Sequence, residues 1–417
     1  MKQPTHATTA RLTLLVAALT AASLGCESSP NPETSVELSK EEIEGLEALG
    51  YVDFGEPEPT SQVGVVEHQA DKVAPGYLLY VERYFATATL IDREGNVVRS
   101  WTDPHAGHWS HMELLDNGDL LGTGSMRNHE GVPDWYTETR QYMIRFSWDG
   151  RILWRAKIGA HHDAEELPDG RLAVLTKRRR KIPQLSDEFD TVDNLVTLTK
   201  ADGEVIRSVS IFESLAKRPD LITIDKRRPM PLGPKGKGID IVHANSVEWI
   251  LRPDLQEKSP IFAPQNVLVS LRHQDSAVII NSEKQEVVWA WGQGELMGPH
   301  DATLLENGHI LIFDNGMERQ WSRVLEVDPL TREVVWEYQD PKDKMAFYTR
   351  SRGGAQRLPN GNTLITSSDQ GRAFEVTPSG ERVWHFINPR GDDNRRATLI
   401  RMNLVPPSLV DPLLRSP

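Results

Sequence analysis

His300-Asp-Ala-Thr-Leu-Leu-Glu-Asn-Gly308 and His162-Asp-Ala-Glu-Glu-Leu-Pro-Asp-Gly170 are two copies of one phrase. Each sets a His-Asp pair eight residues ahead of a turn glycine and then alternates apolar residues, through Phe313 in one copy and Leu175 in the other. Asn-Gly or Asp-Gly between two apolar runs signals a hairpin, because both central residues must tolerate positive φ. Aligning on the glycine finds Ser110-His111 ahead of Gly118 and Gly353-Gly354 ahead of Gly361. A divergent copy, His243-Ala-Asn-Ser-Val-Glu-Trp249, lacks the Asn-Gly turn and returns through Asn266–Arg272. Recurrence of one hairpin along a chain predicts stacked or radial repeats.

A second phrase interleaves with the first: a turn, then a strand that ends in Trp in all copies but one. It ends at Trp101, Trp154, Arg207, Trp289, Trp336 and Trp384, which makes six copies. The spacing is 53 residues from Trp101 to Trp154, 47 from Trp289 to Trp336 and 48 from Trp336 to Trp384. That length suits a four-stranded propeller blade and exceeds most solenoid repeats. The predicted fold is therefore all-β, a six-bladed β-propeller over residues 72–405, closed by pairing Tyr77–Val81 with Ala397–Leu404. The excess between the third and fourth copies, Phe212–Asp240, reads as an insertion on one pole.

Around that domain the chain is polar. Lys2 and Arg11 precede an apolar stretch, Leu12–Ala22, too short to span a membrane, and then Ser23-Leu-Gly-Cys26. Residues 1–26 read as a signal peptide of lipoprotein type, with Cys26 as the lipidated residue. Cys26 is the sole cysteine, so an intrachain disulfide is excluded. Residues 27–71 read as a tether carrying a short capped helix at Ser39–Leu49, and 406–417 as a C-terminal tail. The expected location is the periplasm or cell surface, anchored to the membrane by lipid. A net charge of −13 argues against a nucleic-acid partner despite the run Lys177–Lys181.

In a propeller the innermost strand of each blade lines the central channel, so equivalent positions converge. The first aligned column reads Ser110, His162, His243, His300 and Gly353. The second reads His111, Asp163, Ala244, Asp301 and Gly354. Burying several histidines without partners is costly, so a water-exposed functional funnel is expected. Asp163 and Asp301, just ahead of a blade's first strand, are assigned to structural capping of backbone N–H groups between blades. For His161, function and simple solvent exposure balance. His243 and His300 are the catalytic candidates, with His162, His111, Asn245, Arg272 and Arg319 binding substrate. Arginine pairs bidentately with sulfate, phosphate or carboxylate. Histidine and arginine without a nucleophilic cysteine or serine elbow suit transfer of an anionic group.

Six segments together resemble the bacterial arylsulfotransferase (aryl sulfate sulfotransferase) family. They are His161–Gly170, His243–Ser246, Val269–His273, His300–Gly308, Ile312–Gly316 and Gly353–Ile365. The resemblance spans about Gly76 to Pro389. It implies a six-bladed propeller of the cell envelope that moves a sulfuryl group between phenols through a sulfated channel histidine, without a nucleotide donor. His243, His300 and Arg319 fall in matching motifs, whereas Gly353-Gly354 departs from the pattern in carrying no histidine. The expected partners are a small aryl sulfate and a phenol, and no cofactor or metal is expected. The alternatives are a non-catalytic binding propeller, a metal site of His162, His243 and His300, and, last, a quinone-cofactor propeller.

Overall fold

The computed structural model describes residues 62–415 except 84, 128–139, 228–229, 232–236 and 392–395. The signal peptide, Cys26 and the Ser39–Leu49 helix lie outside the described residues. A leading strand, β1 (Gly64–His68), precedes β2 (Tyr77–Glu82), β3 (Thr87–Ile91) and β4 (Val97–Thr102) of blade 1. Blade 2 comprises β5 (Ala106–Leu114), β6 (Leu120–Met126), β7 (Gln141–Phe146) and β8 (Ile152–Ala156). Blade 3 comprises β9 (Ala160–Glu166), β10 (Leu172–Ile182), β11 (Ser186–Thr199) and β12 (Val205–Ser210). The insertion after it holds helix α1 (Ile211–Ala216) and two short strands, β13 (Met230–Pro231) and β14 (Lys237–Asp240), which extend the blade 3 sheet beside β11.

Blade 4 comprises β15 (Ala244–Trp249), β16 (Asn266–Leu271), β17 (Ser276–Asn281) and β18 (Glu286–Trp291). Blade 5 comprises β19 (His300–Leu304), β20 (Ile310–Asp314), β21 (Arg323–Val327) and β22 (Val334–Tyr338). Blade 6 comprises β23 (Gly354–Arg357), β24 (Thr363–Ser367), β25 (Arg372–Val376) and β26 (Arg382–Ile387). The chain then returns to blade 1 as β27 (Leu399–Val405) and ends in helix α2 (Pro407–Arg415). The protein is a six-bladed β-propeller of six antiparallel meanders.

The hairpins have the turns that the sequence signalled. Gly118, Gly170, Gly308 and Gly361 sit at φ of +80° to +92°, where a side chain would be strained. Each sheet presents apolar residues to both neighbours, and six separate hydrophobic clusters fill the six blade–blade interfaces. The outer-strand tryptophans latch neighbouring blades. The indole N–H of Trp101 donates to Ser147 O (3.3 Å), Trp289 to Pro329 O (2.9 Å), Trp336 to Pro378 O (2.8 Å) and Trp384 to Arg93 O (3.0 Å). Each acceptor lies at the outer hairpin of the next blade, so the recurring Trp joins blades as well as filling them.

Closure is double. β27 pairs antiparallel with β2, Tyr77 opposite Val405 and Glu82 opposite Leu399, which supplies the innermost strand of blade 1. β1, upstream of residue 72, pairs with β26 on the outer edge of blade 6, Gly64 opposite Ile387. Beyond β27, the segment read as a tail forms α2, whose Leu409 packs on the cluster between blades 1 and 2. Deleting residues 396–417 should abolish the single cooperative thermal transition, whereas deleting 62–69 should only lower its midpoint. A 396–417 deletion that melts at the parent temperature would refute the role given to β27.

Candidate active site

The innermost strands β5, β9, β15, β19, β23 and β27 stand side by side around the axis, so equal offsets along them form rings. Hydrogen bonds between blades fix the register. Asp163 Oδ2 accepts from Val247 N–H (3.0 Å), Ser246 Oγ from Ala302 N–H (3.0 Å) and Asp301 Oδ2 from Ala355 N–H (2.8 Å). Two residues on, Glu165 accepts from Trp249 N–H, Glu248 Oε2 from Leu304 N–H (2.8 Å) and Gln356 Oε1 from Leu404 N–H (2.7 Å). One ring therefore consists of Arg401, His111, Asp163, Ser246, Asp301 and Gly354.

That register corrects the sequence alignment in blade 4. Ser246, and not Ala244, holds the position of Asp163 and Asp301, and Asn245, and not His243, that of His162 and His300. Without an Asn-Gly turn to count from, the sequence could not show the register shift between Ala244 and Ser246. His243 instead enters just ahead of β15 in a left-handed conformation (φ 47°). His162 (φ 60°), Asp301 (φ 51°) and Arg352 (φ 62°) are left-handed too, a concentration of non-glycine strain at the strand starts.

Arg401 plugs the ring. Its guanidinium lies 2.8 Å from Asp301 Oδ1 and 3.5 Å from Asp163 Oδ1, and His111 Nδ1 lies 3.1 Å from that same Asp163 oxygen. A Cβ at Gly354 would sit 2.3 Å from Asp301 Oδ2 and 3.3 Å from Arg401 Cγ. The glycine at the blade 6 position of the ring thus makes room for this ion pair. His111 belongs to the ring and faces Asp163, apart from the other histidines.

On the strand-start side of the ring His161, His162, His243, His273 and His300 converge. His162 packs edge-on against His161 and His243, with ring centroids 5.0 and 5.2 Å away, and His243 lies 4.7 Å from His273. The structure thus brings His161, His162 and His243 together. His161, His243, His273 and His300 are buried, each at most 7% exposed, while His162 is partly exposed, so most of the cluster is enclosed in place of the open funnel expected. His161 Nδ1 lies 2.7 Å from His162 Nδ1, while His161 Nε2 and Asn245 Oδ1 are buried with no hydrogen-bond partner among the described residues. Asn245 Nδ2 donates to Pro299 O at 2.9 Å, stitching blade 4 to the start of blade 5.

Two histidines differ in what their nitrogens do. His243 Nδ1 meets Asp240 Oδ2 at 2.6 Å, and Asp240 Oδ1 accepts from the His243 backbone N–H at 3.2 Å. His300 Nδ1 meets Asn315 Oδ1 at 2.7 Å, while the Asn315 amide donates to Thr349 O and Arg352 O, both at 2.9 Å. Those donations fix the Asn315 oxygen toward His300, so Nδ1 carries the proton. His300 Nε2 then accepts the Arg352 N–H at 3.2 Å. Both nitrogens of His300 are committed to the protein.

Burial pushes His161, His162, His273 and His300 well below the ordinary histidine range, with Lys177 or Arg272 adding to the effect in each case. Burial also lowers His243, but the Asp240 carboxylate opposes it. His243 is thus the imidazole of this group best placed to carry positive charge. Arg272 is fully buried, with Nη1 3.2 Å from His273 Nε2 and Nη2 3.4 Å from Met317 Sδ. Asp240, His243 and His273 bring metal-capable atoms within 4.8 Å of one another. However, His243 Nδ1 is held by Asp240 and His273 Nδ1 by Asp240 O (2.7 Å), and Arg272 and Lys177 act on the same groups. Such surroundings favour an anion over a metal cation.

Arg319 takes a different place from the one its motif suggested. Its guanidinium pairs with Asp314 (2.8 Å), donates through Nε to Trp321 O (3.0 Å) and stacks 4.5 Å above the Trp321 ring. None of those partners is a cluster histidine. Sequence reasoning missed Asp240, His273 and Lys177. Asp240, three residues before His243, and His273, next to Arg272, were within reach of a search for pairs near each candidate. Lys177 was taken for part of a solvated run, yet its charge acts on His161, His162 and His243.

Comparison with known proteins decides the family, because the model of the Arylsulfotransferase (ASST) family matches residues 143–389, more than half of the chain. The chain belongs to the arylsulfotransferase family. The match runs from blade 2 through blade 6 and contains the whole histidine cluster. No curated protein matched the chain. Among solved structures, a protein of unknown function from Bacteroides caccae is 14% identical with a TM-score of 0.50, over 79% of this chain and 98% of its own. A streptogramin B lyase is 11% identical with a TM-score of 0.43, over 85% of this chain and 95% of its own. The first likeness concerns the fold alone.

Arg401→Met should destabilise the protein by about 3–5 kcal/mol, since it leaves two buried carboxylates without their cation. Urea denaturation at pH 7 measures this. A loss below about 1 kcal/mol would show that the plug does not hold the ring.

Proposed function

We propose that this arylsulfotransferase-family protein transfers a sulfuryl group between phenols, with His243 as the nucleophile. The hydrogen bond of 2.6 Å that His243 Nδ1 donates to Asp240 Oδ2 carries this reading. It puts the proton on Nδ1 and so the lone pair on Nε2, and it stabilises the charge that the ring gains on attack. His300, with both nitrogens engaged, holds the start of blade 5 against blade 6.

In the first half-reaction His243 Nε2 attacks sulfur, the S–O(aryl) bond breaks, and the phenolate leaves. Arg272, beside His273 and His300, offsets charge on the sulfuryl oxygens. In the second, the acceptor phenol gives up its proton and attacks sulfur, the N–S bond breaks, and His243 is restored. His162, in ring contact with His243, takes that proton as general base and then releases it to solvent. Arg319 acts through Asp314 and Trp321, at a remove from the sulfuryl group. Lipidation at Cys26 places the reaction at the periplasmic or outer face of a membrane.

His243→Ala should lower sulfuryl transfer from 4-nitrophenyl sulfate to phenol by about 10²–10⁴-fold. Asp240→Asn should lower kcat more than it raises KM. Stopping the reaction before acceptor is added should leave sulfate covalently on His243, read by mass spectrometry. Full activity in His243→Ala, or sulfate found on another histidine, would overturn the assignment. Separately, Cys26→Ser should release the protein from the membrane fraction, and retention through the same washes would rule out the anchor.

A further inference from the structure

The far side of the Arg401 plug is chemically the reverse of the histidine side. A cavity of about 450 Å³ opens there, lined by the ring residues and by the ends of the innermost strands. Its size falls in the range of small-molecule sites, roughly 300–1,000 Å³. Two residues beyond the ring, neighbouring blades contribute Glu113, Glu165 and Glu248, and Asp116 also lines the wall. Of the cations lining the cavity, Arg401 is shared between Asp163 and Asp301, and Arg357 is paired with Glu326 (2.6 Å). Glu165 and Glu248 each accept one backbone N–H and have one oxygen with no hydrogen bond among the described residues.

A separate observation points to a ligand. His111 lines the cavity and is only 5% exposed, yet its Nε2 has no hydrogen-bond partner. With Asp163 3.1 Å from Nδ1, the proton belongs on that nitrogen, and Nε2 is a lone-pair acceptor directed to the Glu113 side, 4.0 Å from Oε2. An apolar part of the wall is formed by Leu79, Leu114, Val247, Leu304 and Leu409, beside the polar Thr303, Gln356 and Asn403. Carboxylates, a lone pair and an apolar wall together match an ammonium on an apolar body. A hard divalent ion needs six or more oxygens converging at about 2.3–2.6 Å. Here the acidic groups stand on separate blades, and the group with tightly converging metal-capable atoms lies on the histidine side.

We propose that this cavity is a second ligand site, which binds a small organic ammonium through Glu113, Glu165, Glu248 and His111 Nε2. The apolar body lies against Leu114, Val247 and Leu409. Burial pushes Glu113 up to about 7 and Glu248 up to about 8, and raises Glu165 as well. A bound cation lowers all three, so binding at neutral pH releases protons. The site is separate from the sulfuryl-transfer centre, and its test does not depend on that activity.

Calorimetric titration of the full chain with benzylamine at pH 7.5 tests the proposal, with benzyl alcohol and benzoate as controls. Benzylamine should bind with a heat that varies with the buffer's ionisation enthalpy, as proton release requires, and the controls should not bind. Glu165→Gln/Glu248→Gln should weaken binding at least tenfold, and Glu113→Gln, on the more open wall, should weaken it with little change in melting temperature. His243→Ala should leave it intact. No benzylamine binding at millimolar concentration, equal binding of benzyl alcohol, undiminished binding by the Glu variants, or displacement by Ca²⁺ or Mg²⁺ would each overturn the assignment.

Discussion

Arg401 holding Asp163 and Asp301 together across the channel is the contact on which the two halves of this propeller depend. It arrives on β27, the last strand, and reaches aspartates on blades 3 and 5, so it joins elements that share no sheet. Each aspartate also accepts a backbone N–H from the next blade. A buried ion pair is weak evidence for stability, because desolvation offsets much of the attraction. Its value here is geometric. It sets the register of the inner strands and divides the channel into a basic, histidine-lined side and an acidic side.

That division places the chemistry. Innermost strands that run the same way carry equal offsets to equal depths, so residues before the ring form one site and residues after it form another. On the first side the imidazoles are kept neutral by burial and by nearby cations, and only His243 has a carboxylate directly on its ring. A set of neutral nitrogens with one of them charge-supported is a fitting environment for nucleophilic attack on an anionic ester. The strained backbone at His162, His243, Asp301 and Arg352 holds these side chains at the strand starts, where strand geometry alone would turn them elsewhere.

The repeats made much of this legible. Turn glycines and tryptophans marked the hairpins and outer strands, because positive φ and indole latching each demand one residue type at a fixed place. The pairing of Tyr77–Val81 with the C-terminal segment was also within reach, since a closed propeller leaves no other partner for those edges. The site was harder to read. His243 was found but set two residues out of register, because blade 4 lost the turn from which the others are counted. The difference between His243 and His300 lies in Asp240, three residues away in the chain, and in Asn315, which reaches His300 only through the pairing of β19 with β20. Arg319 shows the converse. Its motif matched, but the contacts that engage it are with Asp314 and Trp321.

The clasp formed by β1 and β27 has a consequence for how the chain reaches this state. Tyr77 meets Val405, so the pairing that closes the circle waits for almost the whole polypeptide to leave the ribosome. Until then β2 exposes a full edge of unpaired amides, and the carboxylates that Arg401 neutralises face one another without it. Contacts of such sequence separation slow folding and lengthen the life of open-edged intermediates. The same topology works in reverse once the circle is shut. Opening a single blade means parting the clasp or a fully packed interface, so loss of the native state is expected to be slow even where the equilibrium margin is ordinary.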